Sequence, residues 1–171
     1  MSKTKSQRLT RDRWIEAGFK ALSERGPEAL KAEPLARDLG TTKGSFYWHF
    51  KDVPEFHAAL MEAWEARALP PEDEDGLPVP RLRRLAAWLG EPDAQDVALR
   101  AWARADDTVA RVDGARMDLI AELLTEIGIQ NPEMAQILYA ASVGMRSLHD
   151  GEAATGPEAM GSMVDLILAL R

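Results

Sequence analysis

The stretch TTKGSFYWHFKD, residues 41–52, carries the densest chemistry in this 171-residue sequence. Phe46, Tyr47, Trp48 and Phe50 are four of its eleven aromatic residues, and Lys43 and Lys51 stand on either side of the run. A lysine ammonium neutralises phosphate as a point charge. The hydroxyls of Thr41 and Thr42 donate to phosphate oxygens, as do free N–H groups at a helix start. Tyr47, Trp48 and His49 offer rings and polar tips that suit thymine methyls, sugars, phosphates and base edges. Gly44 has no side chain, so another surface can come close to its backbone, and Ser45 follows it. Together these residue types fit the surface of a nucleic-acid duplex, although a lone histidine such as His49 says little by itself.

Helical geometry sorts the run into two faces. At about 100° per residue, Phe46 and Phe50 fall within roughly 40° of each other and make a core face. Gly44 and Trp48 then point away from that face, with Tyr47 and His49 on the flanks. Two aromatics thus anchor the helix and the rest are expected outside. The competing possibility is that all four fill a core between small helices, since Trp is often partly exposed in any case.

The elements that must position this run all read as helix. Thr10 caps a helix that places Trp14, Ile15, Phe19 and Leu22 on one face, and Gly26-Pro27 stops it. A short helix follows with Leu35, Ala36 and Leu39 inward, ending at Gly40. Thr41 and Thr42 cap the aromatic helix. Asp52 caps the next one, with Pro54 in its first turn and Phe56, Leu60 and Trp64 on one face. Helix, tight turn with Gly40, helix is the outline of a helix-turn-helix, whose second helix enters the major groove. Residues 68–80, ALPPEDEDGLPVP, hold four prolines and an acidic run and read as a linker. Further helices are expected around 81–90, 93–110, 113–128, 132–149 and 157–170, with breaks at Gly90-Glu91-Pro92, Asp113-Gly114, Asn131-Pro132 and Asp150 to Pro157.

Charge agrees with a basic head. The net charge is −7, yet residues 1–51 carry 11 Lys+Arg against 6 Asp+Glu, and the remainder carries 10 against 22. A basic end on an acidic body suits a molecule that meets a polyanion at one end. With no cysteine there is neither a disulfide framework nor a thiolate metal site. The basic N-terminus lacks the apolar stretch of a signal peptide, and the longest apolar runs fall far short of a membrane span. A cytoplasmic protein is expected.

The motif KGSFYWHFK, with WIEAGFKALSERG before it and LARDLGTTKGSFYWHFKD around it, resembles the TetR family of bacterial transcriptional repressors. The resemblance covers about residues 8–66. It implies an all-α fold: a three-helix helix-turn-helix head at 1–51, a connecting helix four at 52–67, the linker at 68–80, and a short helical dimerisation and ligand-binding bundle at 81–171. It implies that Thr42 meets a phosphate, that Lys43, Gly44 and Ser45 approach bases or backbone, and that Tyr47 and His49 contact phosphates. Trp48 falls at a variable base- or sugar-contacting position, Lys51 meets phosphate, and Phe46 and Phe50 pack inward. Three features depart from the family pattern: Pro34 within helix two, DVPEF in place of a common lysine-glutamate pair, and Trp14 where a smaller aliphatic is usual.

In the body, Met134, Leu138, Ala141, Met145 and Leu148 step like a coiled-coil seam, and small residues keep that helix slim. Met160, Met163, Val164 and Ile167 make a second apolar stripe. Two such helices per subunit would build a four-helix homodimer interface, the alternative being that both stripes pack inside one subunit. A two-fold dimer matches a palindromic double-stranded DNA operator. The resemblance also implies a small-molecule inducer. Trp88, Trp102, Met117, Tyr139 and His149 are candidates to line its cavity, with plain core packing the competing reading.

Other functions find less support. Among the three histidines there is no H-E-x-x-H, and no glycine-rich phosphate loop or G-x-S-x-G elbow occurs. No enzyme, cofactor or metal site is therefore expected. A helical protein-interaction or membrane-surface module is the remaining rival, but the aromatic helix is short and weakly cationic for a membrane surface.

Overall fold

Caps and prolines cut the chain into helices mostly where the sequence leads one to expect them, but the aromatic helix stops at Phe46 and continues as turns, α5 starts at Pro78 inside the expected linker of 68–80, and one expected break is missing. The computed structural model describes residues 9–71, 76–148 and 155–169. The basic residues 1–8, part of the acidic run at 72–75, and 149–154 with His149 lie outside the described residues. α1 spans Arg11–Arg25, α2 Ala32–Asp38, α3 Lys43–Phe46, α4 Val53–Glu65, α5 Pro78–Gly90, α6 Ala94–Trp102, α7 Asp107–Glu126, α8 Pro132–Ser147 and α9 Thr155–Ala169. The fold is all-α.

Local chemistry explains the boundaries. Thr10 accepts from the Arg13 amide at the start of α1. α2 ends in a Schellman motif: the Thr41 amide donates to Ala36 O and the Gly40 amide to Arg37 O. Gly40 takes φ +62°, a left-handed conformation that favours glycine, so the tight turn before α3 depends on it. Pro34 lies in the first turn of α2, where a missing N–H costs nothing, so it does not delay the helix.

The missing break is the one expected at Asp113-Gly114. α7 runs straight through it, and the interruption comes instead at Ala103–Asp106, where Asp106 accepts from the Thr108 amide and starts α7. A glycine inside a helix costs only about 0.5–1 kcal/mol. Asp113 spends its carboxylate on Arg100 and Tyr139 rather than on a cap.

Two apolar clusters hold the helices together. The first gathers Trp14, Phe19 and Leu22 of α1, Leu35 of α2, Phe46, Phe50, and Phe56 and Leu60 of α4. Phe46 meets Trp14 edge-on at 5.3 Å between centroids and Phe56 at 5.4 Å. Such pairs add about 0.5–1.5 kcal/mol beyond burial. This cluster also takes in Leu99 of α6 and Val112 of α7, so the head's apolar core reaches beyond the connecting helix into the body. The second cluster joins α5, α7, α8 and α9 through Leu82, Leu89, Ile120, Leu138, Met160 and Val164. α5 and α9 cross at Gly90 and Gly156, where a Cβ on Gly90 would stand 2.6 Å from the Gly156 carbonyl oxygen.

Candidate nucleic-acid interface

The seat of α3 is apolar and closed. Phe46 and Phe50 are fully buried, which is the face the angular argument assigns them. The Phe50 and His49 amides both donate to Phe46 O, so the chain continues in turns after the four-residue helix. Trp48 is 87 % exposed and Tyr47 47 % exposed. An apolar ring left this far in water gains nothing from folding.

Thr42 caps α3 by accepting from the Ser45 amide at 3.3 Å, and its hydroxyl proton remains free to donate outward. Thr42, Lys43 and Gly44 are exposed, and Thr41, Ser45 and His49 are half-buried. A Cβ on Gly44 would meet only Thr42 Oγ1, at 3.6 Å. The fold therefore does not require glycine there. Lys51 is exposed, but its amide donates to Glu55 Oε2 at 2.7 Å while the Glu55 amide donates to Asp52 Oδ1 at 2.8 Å. The start of α4 is thus satisfied by its own carboxylates, and the Lys51 amide is not open to phosphate; only its side chain is.

Ion pairs separate the basic residues of the head into two groups. Arg25 pairs with Asp38, Lys31 with Glu28, Arg37 with Glu33 and Lys20 with Glu24. The hydrogen bond from Arg25 holds the Asp38 carboxyl below its ordinary range. Among the described residues, Arg11, Arg13, Lys43 and Lys51 have no ion pair. Arg11 was not singled out from the sequence. Its guanidinium lies 5.2 Å from the centre of the Phe50 ring, which sets a positive charge beside α3. The readable signal was an arginine one residue after the α1 cap, Thr10.

The expected dimer seam divides differently. Leu138, Met160, Val164 and Ile167 are buried in the subunit's own second cluster. They are not available to a partner, because helices α5, α7, α8 and α9 close over them. Met134, Ala141, Met145 and Met163 are half-buried against that same cluster. Leu148 is 79 % exposed, and the outward stripe of α8 runs through Ile137 (54 % exposed), Ala140, Gly144 and Leu148. Leu166 is the exposed leucine of α9.

The candidate ligand residues separate as well. Trp102 packs edge-on against His57 at 5.0 Å, and Met117 packs on the second cluster. Trp88 and Tyr139 border a buried ionic network that the sequence reading missed. Asp96 Oδ1 accepts from Trp64 Nε1 at 3.0 Å and Arg116 Nη1 at 3.1 Å. Its Oδ2 accepts from Arg100 Nε at 2.8 Å and Arg146 Nη1 at 3.0 Å. Arg100 continues to Asp113 Oδ1 and to the Tyr139 hydroxyl, which in turn donates to Asp113. The readable signal was Arg116 between Val112 and Ile120, four residues from each on the buried face of α7.

Residues 15–52 match the family described as bacterial regulatory proteins, tetR family. The HTH-type transcriptional regulator AcrR of Shigella flexneri is 29% identical over 65 residues, covering 37% of this chain and 30% of that protein. The tetracycline repressor protein class G of Vibrio anguillarum is 37% identical over 65 residues, covering 36% of this chain and 31% of that protein. The chain thus spans about a third of the length of these curated relatives. A TetR-like transcriptional regulator from Rhodococcus sp. RHA1 shares the fold along 99% of this chain and 100% of its own, with a TM-score of 0.74 at 21% identity. Over residues 15–52 the N-terminal head of this chain is thus similar to that of bacterial regulatory proteins of the tetR family.

Proposed function

We propose that this chain is a sequence-specific DNA-binding transcriptional regulator. It acts as a homodimer on an operator of inverted half-sites and represses until a small molecule releases it. The observation that carries the reading is Trp48, held 87 % exposed on a segment whose phenylalanines are fully buried, among lysines without ion pairs. Lys43, Lys51 and Arg11 meet phosphate. Thr41, Thr42 and Ser45 donate to the backbone at the helix entry, and Tyr47 and His49 flank it. Gly44 and Trp48 face the groove. The stripe of exposed Ile137, Ala140 and Leu148 with half-buried Gly144 supports a two-fold contact through α8, with α9 beside it at Leu166.

Selection of bound sequences from random duplexes tests the reading. The wild-type chain is expected to enrich a palindrome, and a folded variant with Tyr47→Ala and Trp48→Ala to enrich nothing. Equal enrichment by both would place recognition elsewhere.

A further inference from the structure

The network around Asp96 is short of negative charge. Three guanidinium groups, those of Arg100, Arg116 and Arg146, converge on one carboxylate that is 3 % exposed. Asp113 compensates Arg100 at 2.6 Å. Arg116 and Arg146 share Asp96 and also reach the backbone carbonyls Ala68 O and Leu89 O, each at 2.7 Å, while Arg116 further meets the Tyr139 hydroxyl and the Trp88 ring. Two buried positive charges that share one carboxylate are costly, and a further anion lowers that cost. Burial, reinforced by the like charge of Arg116, pushes the Arg146 guanidinium below its ordinary value despite the opposite charges of Asp96 and Asp93.

A cavity opens onto the same groups. It has a volume of about 210 Å³ and is bordered by Phe19, Trp64 and Trp88 as well as Asp96, Arg116 and Arg146. Two further carboxylates, Asp93 and Glu91, stand on its border, and the charge of Asp93 acts on Arg146. Asp93 accepts from the Gln95 and Asp96 amides at the start of α6, and Glu91 is exposed. Arg67 at the border pairs with Glu16. Pockets for drug-sized ligands run about 300–1,000 Å³, so this one suits a smaller molecule.

We propose that this cavity binds a small organic carboxylate, whose charge completes the Arg116–Arg146 pair and whose apolar body packs against Trp64 and Trp88. The inference deepens the reading of the chain as a ligand-released regulator and rests on it for its biological meaning. The cavity touches α1 and α4 of the head and α5 to α8 of the body, so an occupant there changes the contacts that set the angle between them.

Titration calorimetry and tryptophan fluorescence on the full chain test it, with benzoate and propanoate as probes, benzamide as the neutral match of benzoate, and inorganic phosphate as the bare anion. At least one carboxylate is expected to bind, benzoate about tenfold or more tighter than benzamide if it is the one, as a charge-assisted contact requires. Arg146→Met, which removes the surplus charge, is expected to abolish the preference for the carboxylate. Binding by neither carboxylate overturns the proposal, as does equal binding of benzoate and benzamide or of benzoate and phosphate. These comparisons stand on the wild-type chain even where the variant does not fold. Duplex binding measured without ligand separates the two readings. Intact DNA binding with no carboxylate bound defeats only the cavity assignment, and a bound carboxylate with no DNA binding defeats only the regulator.

Discussion

The indole N–H of Trp64, on α4, donates to Asp96 Oδ1, on α6, at 3.0 Å. This bond ties the helix leaving the head to the buried carboxylate of the body. Trp14 presents the opposite case: it is fully buried, and its Nε1 has no hydrogen-bond partner. Trp64→Phe leaves a buried carboxylate one donor short, whereas Trp14→Phe removes a donor that had no acceptor. Both lose similar ring area, so Trp64→Phe is expected to be the more destabilising by about 1–3 kcal/mol. Urea unfolding of the two variants checks this, and indistinguishable midpoints would show that the Trp64 bond contributes nothing.

Asp96 also sets an acid limit. Burial raises its carboxyl pKa, but the charges of Arg116, Arg100 and Arg146 outweigh burial and hold it below the ordinary value. A group whose folded pKa is depressed contributes its full stability above its unfolded pKa, about 3.9, and loses it as the pH falls through the folded value. Stability is therefore expected to be level in this component above about pH 4 and to fall below it. Asp96→Asn leaves the arginines without their shared anion and is expected to cost about 3–5 kcal/mol at neutral pH. It also removes this part of the acid dependence. Unfolding curves from about pH 3 to pH 7 on both proteins decide it: parallel profiles would relieve Asp96 of the role.

What the sequence made legible follows the range of the physics. Thr10, Gly40, Asp52 and Asn131 act on amides within a few residues, so helix ends could be read from them. The faces of Phe46 and Phe50 followed from helical periodicity alone. The Asp113-Gly114 break failed because Asp113 finds its partners 13 and 26 residues away, at Arg100 and Tyr139. The burial of Leu138 in the subunit's own core was hidden for a related reason. A coiled-coil spacing through Leu138 cannot tell a neighbouring helix of the same chain from one of a partner. The arginines around Asp96 were hidden because their meaning is joint: Arg146 joins Asp96 across 50 residues of sequence.

Arg11 and Lys43 offer a test of how the head meets DNA. If each neutralises one phosphate, Arg11→Ala and Lys43→Ala are each expected to weaken binding to every sequence alike. Each should also reduce the slope of log affinity against log salt by about 1. Trp48→Ala is expected to leave that slope unchanged and to alter which base pairs are preferred. Binding isotherms across a salt series, on matched and mismatched duplexes, distinguish the two behaviours. A reduced slope for Trp48→Ala, or an unchanged one for Arg11→Ala, would reverse these assignments.

Gly144 and Ile137 separate folding from assembly on α8. A Cβ at Gly144 meets nothing within 4 Å, so Gly144→Ala is expected to stabilise the isolated subunit by about 0.5–1 kcal/mol through helix propensity. If a second copy packs on this stripe, the same methyl holds the two helices apart and weakens the dimer. Ile137→Asp puts a charge on a residue already 54 % exposed, so the subunit keeps its fold while a dimer through this face is lost. Leu138→Asp, one residue away and fully buried, is expected to unfold the subunit itself. Sedimentation equilibrium beside circular dichroism reads the two properties independently. A folded Ile137→Asp chain that still sediments as a dimer would move the two-fold contact off α8, and with it the spacing of the two heads on the operator.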